Sequence, residues 1–210
     1  MGWEMGETML GTHEIEIIDI FRRDLFKSYT IRELMKKTGR KTYTWTFNSA
    51  KKLAKKGILK MEKKGNVKIC TINLYSHIAI SYLALLDTME AFYKKIPRLS
   101  ELISEIPTPF FTFMIGGSYA EGKQTKESDL DVAVIIDDNA DAKKIQRILE
   151  NKIMIPRIHP FVFRKSEFIQ MLLDKEANYG KMLFRKHLIA FGAENYYLMI
   201  REAIEHGFRG

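Results

Sequence analysis

The chain has 210 residues, a net charge of +8 and an ordinary apolar fraction of 46%. That length suits one large or two small domains, and the apolar fraction lets each part bury a core. A lone cysteine, Cys70, excludes an intramolecular disulfide and any cysteine-built zinc site. The longest uncharged run, Thr71 to Leu86, is broken by Asn73, Ser76, His77 and Ser81, so it predicts a soluble helix rather than a membrane span. Glu4, Glu7, Glu14 and Glu16 interrupt any leader-like pattern at the start, and a cytoplasmic location is expected.

The charge is unevenly placed. Residues 1–75 carry 16 Lys and Arg against 8 Asp and Glu, whereas the other 135 carry 18 of each. The whole positive excess therefore lies in the N-terminal third, which points to a polyanionic partner for that part. In chain order this third predicts three helices and a hairpin. The first is capped by Thr12 and runs to about Lys27, with an apolar stripe through Ile15, Ile18 and Phe21 or Phe26. Thr30 caps a short second helix, Ile31 to Lys37, which ends at Gly39. Thr42 opens a third, running to Lys56, whose inner side is Phe47, Ala50, Leu53 and Ala54. Trp45 is expected to pack. Strands Ile58–Lys63 and Val67–Leu74 then flank the turn Lys64-Gly65-Asn66.

This order resembles a winged helix-turn-helix domain over residues 1–75. The resemblance implies duplex DNA as partner, with the third helix reading a groove and the hairpin as wing. It makes Arg40, Lys41, Tyr43, Thr44, Asn48, Lys51, Lys52, Lys55, Lys63 and Lys64 candidate contacts, with Thr44 and Asn48 reading bases and the lysines positioning on phosphates.

A linker helix is predicted from His77 to Glu105, interrupted or bent at Pro97, over a segment 76–106. Tyr82, Leu85, Leu86, Met89, Phe92, Tyr93 and Ile96 make it more apolar than a bare linker needs. A second copy of the chain, giving a homodimer, is one candidate for what it packs against. Pro107-Thr108-Pro109 marks the next boundary. Phe110 to Ile115 is a predicted buried strand, followed by Gly116-Gly117-Ser118-Tyr119-Ala120-Glu121-Gly122. Those glycines allow a tight turn and close approach of a ligand to the backbone. Ser118 is placed to cap the short helix that follows, whose first amides suit a phosphate. Leu130 to Ile136 is a second buried strand with Asp129 and Asp131 at its entrance. Residues two apart share one face of a strand and lie about 6–7 Å apart, a spacing that suits carboxylates sharing Mg²⁺ or Mn²⁺.

Gly117-Ser118-x-Ala120-x-Gly122 with Ser128-Asp129-x-Asp131 resembles the signature of the DNA polymerase β-like nucleotidyltransferases, above all their minimal branch. The resemblance covers about Pro107 to Phe163. It implies an NTP held by Gly116, Gly117, Ser118, Gly122, Lys123 and Ser128, and metal held by Asp129 and Asp131. Where many relatives carry a basic residue this chain has Glu121, with Lys123 and Lys126 close behind to supply charge. Active relatives also place a third acid on a later strand. The matching strand, Ile158 to Phe163, offers His159 instead, which joins Asp129 and Asp131 as a candidate catalytic residue.

Helices are expected from Asp138 or Asn139 to Asn151, from Ser166, from Lys181 to Ala190, and from Glu194 to Glu205. The overall expectation is an α+β chain: a winged helix-turn-helix, a linker helix, and a nucleotidyltransferase-fold mixed sheet with flanking and trailing helices over 107–210. Two functions follow. One is transfer of a nucleoside monophosphate from an NTP to a hydroxyl, with a partner protein as one acceptor. The other is a winged-helix transcriptional regulator whose second domain senses nucleotide or mediates assembly without turnover.

Overall fold

A computed structural model describes residues 10–210; Glu4 and Glu7, which bear on the leader argument, lie outside them. The fold is mixed α+β and divides into two compact units, Met1–Leu83 and Ala84–Gly210.

The first unit begins with α1 (Thr12–Arg22), β1 (Tyr29–Thr30), α2 (Ile31–Lys37) and α3 (Tyr43–Lys55). The hairpin β2 (Leu59–Lys64) and β3 (Val67–Ile72) follows. Ile17, Ile18, Phe21, Ile31, Leu34, Leu53, Ile58 and Cys70 form its core. Thr30 caps α2 as its spacing to Glu33 predicts: its hydroxyl accepts the Glu33 N–H, and the Glu33 carboxylate accepts the Thr30 N–H. Strand β1 was not expected. It pairs with β3 through Tyr29 opposite Cys70, giving the order β1-β3-β2.

Several local expectations change. Helix α1 starts after Gly11, not on a Thr12 cap, because the Glu14 carboxylate accepts the Gly11 N–H at 2.7 Å. It stops at Arg22, well short of Lys27. The buried face of α3 is Thr46, Ser49, Ala50 and Leu53, with Phe47 and Ala54 only half-buried. Ser49 can be buried because its hydroxyl donates to Glu14 at 2.8 Å. Trp45 is 51% exposed rather than packed inside. It stacks on His13 and lies under the Arg40 guanidinium.

Helix α4 (His77–Tyr93) crosses the boundary between the units. The interruption expected at Pro97 occurs, as a break rather than a bend. Lys95 and Arg98 adopt left-handed backbone conformations either side of Pro97, and a separate α5 (Leu99–Ser104) follows. Proline has no N–H to give and restricts the residue before it, so the break falls there.

The second unit continues with β4 (Phe111–Ile115), α6 (Gly117–Glu121), β5 (Leu130–Ile136), α7 (Ala142–Glu150) and β6 (Ile158–Arg164). It ends with α8 (Lys165–Leu173), α9 (Tyr179–Arg185), β7 (Leu188–Phe191) and α10 (Ala193–Glu205). The sheet order is β6-β5-β4-β7. Strands β5 and β6 are parallel, while β4 is antiparallel to both its neighbours. Alternation sends Leu130, Val132, Val134 and Ile136 to one face, with Phe111, Phe113 and Ile115, under Ala91, Leu99, Leu102, Ile145 and Leu149. The opposite face carries α8 and α10, with Phe168, Leu172, Tyr196 and Ile200 buried there. Buried Asp87 of α4 accepts the Tyr197 hydroxyl of α10.

Strand β7 corrects the helix expected over Lys181 to Ala190. Leu188-Ile189-Ala190-Phe191 is a short apolar run, which periodicity cannot assign, and pairing with β4 decides it. Asp141 rather than Asp138 or Asn139 caps α7, its carboxylate accepting the Lys144 N–H. Asp138 instead accepts the N–H of Ser166 in the first turn of α8, which opens at Lys165.

Candidate functional site

The site is built where β4 turns into α6 beside the start of β5. The Gly116 N–H donates to the Asp131 carbonyl at 2.9 Å, so the turn is stitched to the strand that carries the aspartates. Gly117 has φ +55, and a Cβ there would stand 1.9 Å from Asp131 Oδ2. Only glycine lets the turn close so far onto that carboxylate. The short helix α6 starts with Gly116 as its N-cap, so the expected Ser118 cap is not formed; Ser118 is the second helical residue and half-buried. Gly122 ends the helix in a left-handed conformation.

Asp129 is exposed just before β5, and the Leu130 N–H beside it donates to the Arg157 carbonyl at 2.8 Å. Asp131 is partly covered, its side chain 28% exposed. In the parallel ladder Asp131 stands level with His159, and Nδ1 of His159 lies 3.2 Å from Asp131 Oδ1. A cleft of about 490 Å³ lined by Asp129, Gln146, Glu150, Arg157, Ile158, His159 and Pro160 opens beside the pair.

The loop residues have other attachments. Ser128 accepts the Thr125 N–H at 2.9 Å and so closes its own turn. Lys123 is exposed and pairs with Glu121 at 2.8 Å, so each offsets the other's charge in front of the turn. The hydrogen bond from Lys123 holds the Glu121 carboxyl below its ordinary range.

The donor set can be weighed for a metal. Among the described residues no three His, Cys, Asp or Glu side chains gather closely enough to hold an ion alone. Two carboxylates beside a glycine turn with no room for a side chain do fit a hard cation whose other oxygens come from a nucleotide. Tyr179 was not a candidate on sequence, being 48 residues from Asp131 with no spacing signal to join them. Its hydroxyl nevertheless comes 3.0 Å from the place a Gly116 Cβ would occupy.

In the first unit, Tyr43, Thr44, Asn48, Lys51 and Lys55 are exposed on α3, with Lys41 before it and Lys63 and Lys64 on β2. Two of the ten candidate contacts are committed elsewhere. Arg40 donates to both oxygens of Glu16, at 2.9 and 2.8 Å. Lys52 lies 3.7 Å from Glu14. Acids of α1 thus draw these two cations into the unit.

No helix among the described residues is long and apolar enough to cross a membrane. No curated protein and no solved structure matches the chain. A family model described as a nucleotidyltransferase domain matches residues 98–181, from Arg98 to Lys181. That span holds the glycine turn, both aspartates, His159 and Tyr179, and the second unit is similar to a nucleotidyltransferase domain with an NTP as its substrate class.

Proposed function

We propose that the second unit transfers a nucleoside monophosphate from an NTP to a hydroxyl acceptor, and that the first is a winged helix-turn-helix that binds duplex DNA. The observation that carries the transferase reading is the closure of the Gly116–Gly117 turn onto Asp131, inside the span that matches a nucleotidyltransferase domain. The turn leaves backbone N–H groups for phosphate oxygens, and Asp129 and Asp131 would hold Mg²⁺ or Mn²⁺ beside it. When bound, that ion neutralises charge developing on the phosphoryl oxygens and lowers the pKa of the attacking hydroxyl. Asp131 presents its carboxylate from β5, and His159 beside it is placed to steady one oxygen. The cleft lined by Asp129, Arg157 and His159 is the approach for the acceptor hydroxyl. A partner protein is the acceptor class the resemblance implies.

The DNA reading rests on the 14 basic residues against Glu33 and Glu62 from Lys27 to Lys68, and on the exposed lysines of α3 and β2. Asn48 and Thr44 read bases from α3; Lys41, Lys51, Lys55, Lys63 and Lys64 engage phosphates.

One observation favours a second reading. His159 stands beside Asp131 where active relatives in the resemblance carry an acid, which suits a DNA-bound regulator that binds nucleotide without turnover. Incubation with the four radiolabelled NTPs and Mg²⁺ or Mn²⁺, in the presence of cell protein and RNA, separates the two. Label on a macromolecule supports the enzyme; retained nucleotide with no label transfer supports the regulator; neither refutes both.

A further inference from the structure

Tyr179 opens α9, and its ring packs against Phe161, with centroids 4.2 Å apart, and Phe163, at 6.0 Å. Those phenylalanines follow His159 at two-residue steps along β6, so all three project on one side of the strand. The ring's position drives its hydroxyl against the glycine turn. The oxygen is 3.0 Å from where a Gly116 Cβ would stand, and the same point is 3.9 Å from the Asp131 Cβ, so Tyr179 Oη and that Cβ are no more than about 7 Å apart. The hydroxyl is sealed from solvent and has no hydrogen-bond partner among the described residues. Buried hydroxyls are normally satisfied, so an orphan beside a charged acceptor calls for an explanation. Burial, and then the charge of Asp131, push its pKa upward, which keeps it a donor.

Asp131 has its own divided position. Oδ1 faces His159, while Oδ2 fills the space that a Gly117 side chain would need. We propose that Tyr179 is a positioning residue for Asp131: its hydroxyl donates to the Asp131 carboxylate when that side chain turns from His159 toward the Gly116 turn. The inference rests on the reading of Asp129 and Asp131 as a cation site. Carboxylates that hold metals are themselves held by outer hydrogen bonds, whose removal typically costs about 10–100-fold in metal affinity.

The test uses the full chain, with Mn²⁺ binding followed by the electron paramagnetic resonance of the free ion. Tyr179→Phe keeps the ring between Phe161 and Phe163 and removes only the oxygen. The expected result is a Kd for Mn²⁺ raised about 10-fold or more, with the melting temperature of the metal-free protein unchanged or higher, because an unpaired buried hydroxyl has gone. A variant that binds Mn²⁺ as the parent does overturns the role of Tyr179 and leaves the aspartate site standing. Weaker Mn²⁺ binding together with a lower metal-free melting temperature assigns the hydroxyl to the fold instead, and also overturns it. A parent protein that takes up no Mn²⁺ removes the aspartate reading and this inference with it.

Discussion

Gly117→Ala probes the packing on which the transferase reading turns. Gly117 has φ +55, so alanine there takes about 1–2 kcal/mol of left-handed backbone strain. Its Cβ would also stand 1.9 Å from Asp131 Oδ2 and 3.0 Å from Cγ. Ordinary contact begins near 3.4 Å, so the carboxylate must retreat by about 1.5 Å. Oδ2 is the far end of a side chain that can turn away, so the retreat displaces the carboxylate at little further cost in stability. Gly122→Ala is the control within the same unit: its φ is +70, yet a Cβ there meets only Lys94 Nζ at 3.9 Å, so strain acts without the clash. Urea unfolding should therefore find Gly117→Ala and Gly122→Ala destabilised to a similar extent, by ~1–2 kcal/mol each. Displacing a reacting group by about 1 Å can cost roughly 10²-fold in rate, and nucleotidyl transfer should fall by that order. Transfer by Gly117→Ala equal to that by Gly122→Ala would refute the packing of the turn onto Asp131.

Further outcomes follow from other residues. His159→Asp places an acid level with Asp131 across the β5–β6 ladder, and should raise nucleotidyl transfer by ~10²-fold or more by supplying a general base. It should also lower the metal-free melting temperature, since two carboxylates then face each other. Replacing Lys51 and Lys55 by Ala should weaken duplex DNA binding and reduce the slope of log K against log salt by ~0.9 for each phosphate that is no longer neutralised, measured by fluorescence anisotropy. Lys52→Ala should change that slope less, because Glu14 already engages it. Hydrogen bonds from Arg98 and then Lys152 hold the Glu101 carboxyl down to about 2, against an ordinary 4.5. A carboxyl lowered in the folded state stabilises it fully above the unfolded pKa and loses that effect as pH falls through the folded one. Glu101→Gln should therefore be less stable than the parent at neutral pH, and thermal melts should show the gap closing between about pH 4.5 and 2.

Local chemistry made much of this legible in the sequence. Glycines after an apolar run and aspartates two apart before another can be read without tertiary information, and the structure sets that turn against that strand. The Thr30–Glu33 cap and the Gly65-Asn66 hairpin turn are equally local. What escaped depends on partners distant in sequence. Leu188–Phe191 becomes a strand because β4 has a free edge for it. Arg40 and Lys52 look like free cations until α1 brings Glu16 and Glu14 to them. Trp45 has no interior place because Thr46 and Ser49 occupy the buried side of α3. Tyr179 reaches Gly116 only through the packing of α9 onto Phe161 and Phe163.

The central claim is that the glycine turn and the two aspartates form one metal-nucleotide site. Its most direct test is calorimetric titration of each Mg-NTP into the parent protein and into the Asp129→Asn, Asp131→Asn double variant, with circular dichroism to confirm that both are folded. The account predicts saturable binding of at least one Mg-NTP by the parent and none by the folded double variant. Equal binding by the two proteins, or no binding by the parent to any of the four, would contradict it.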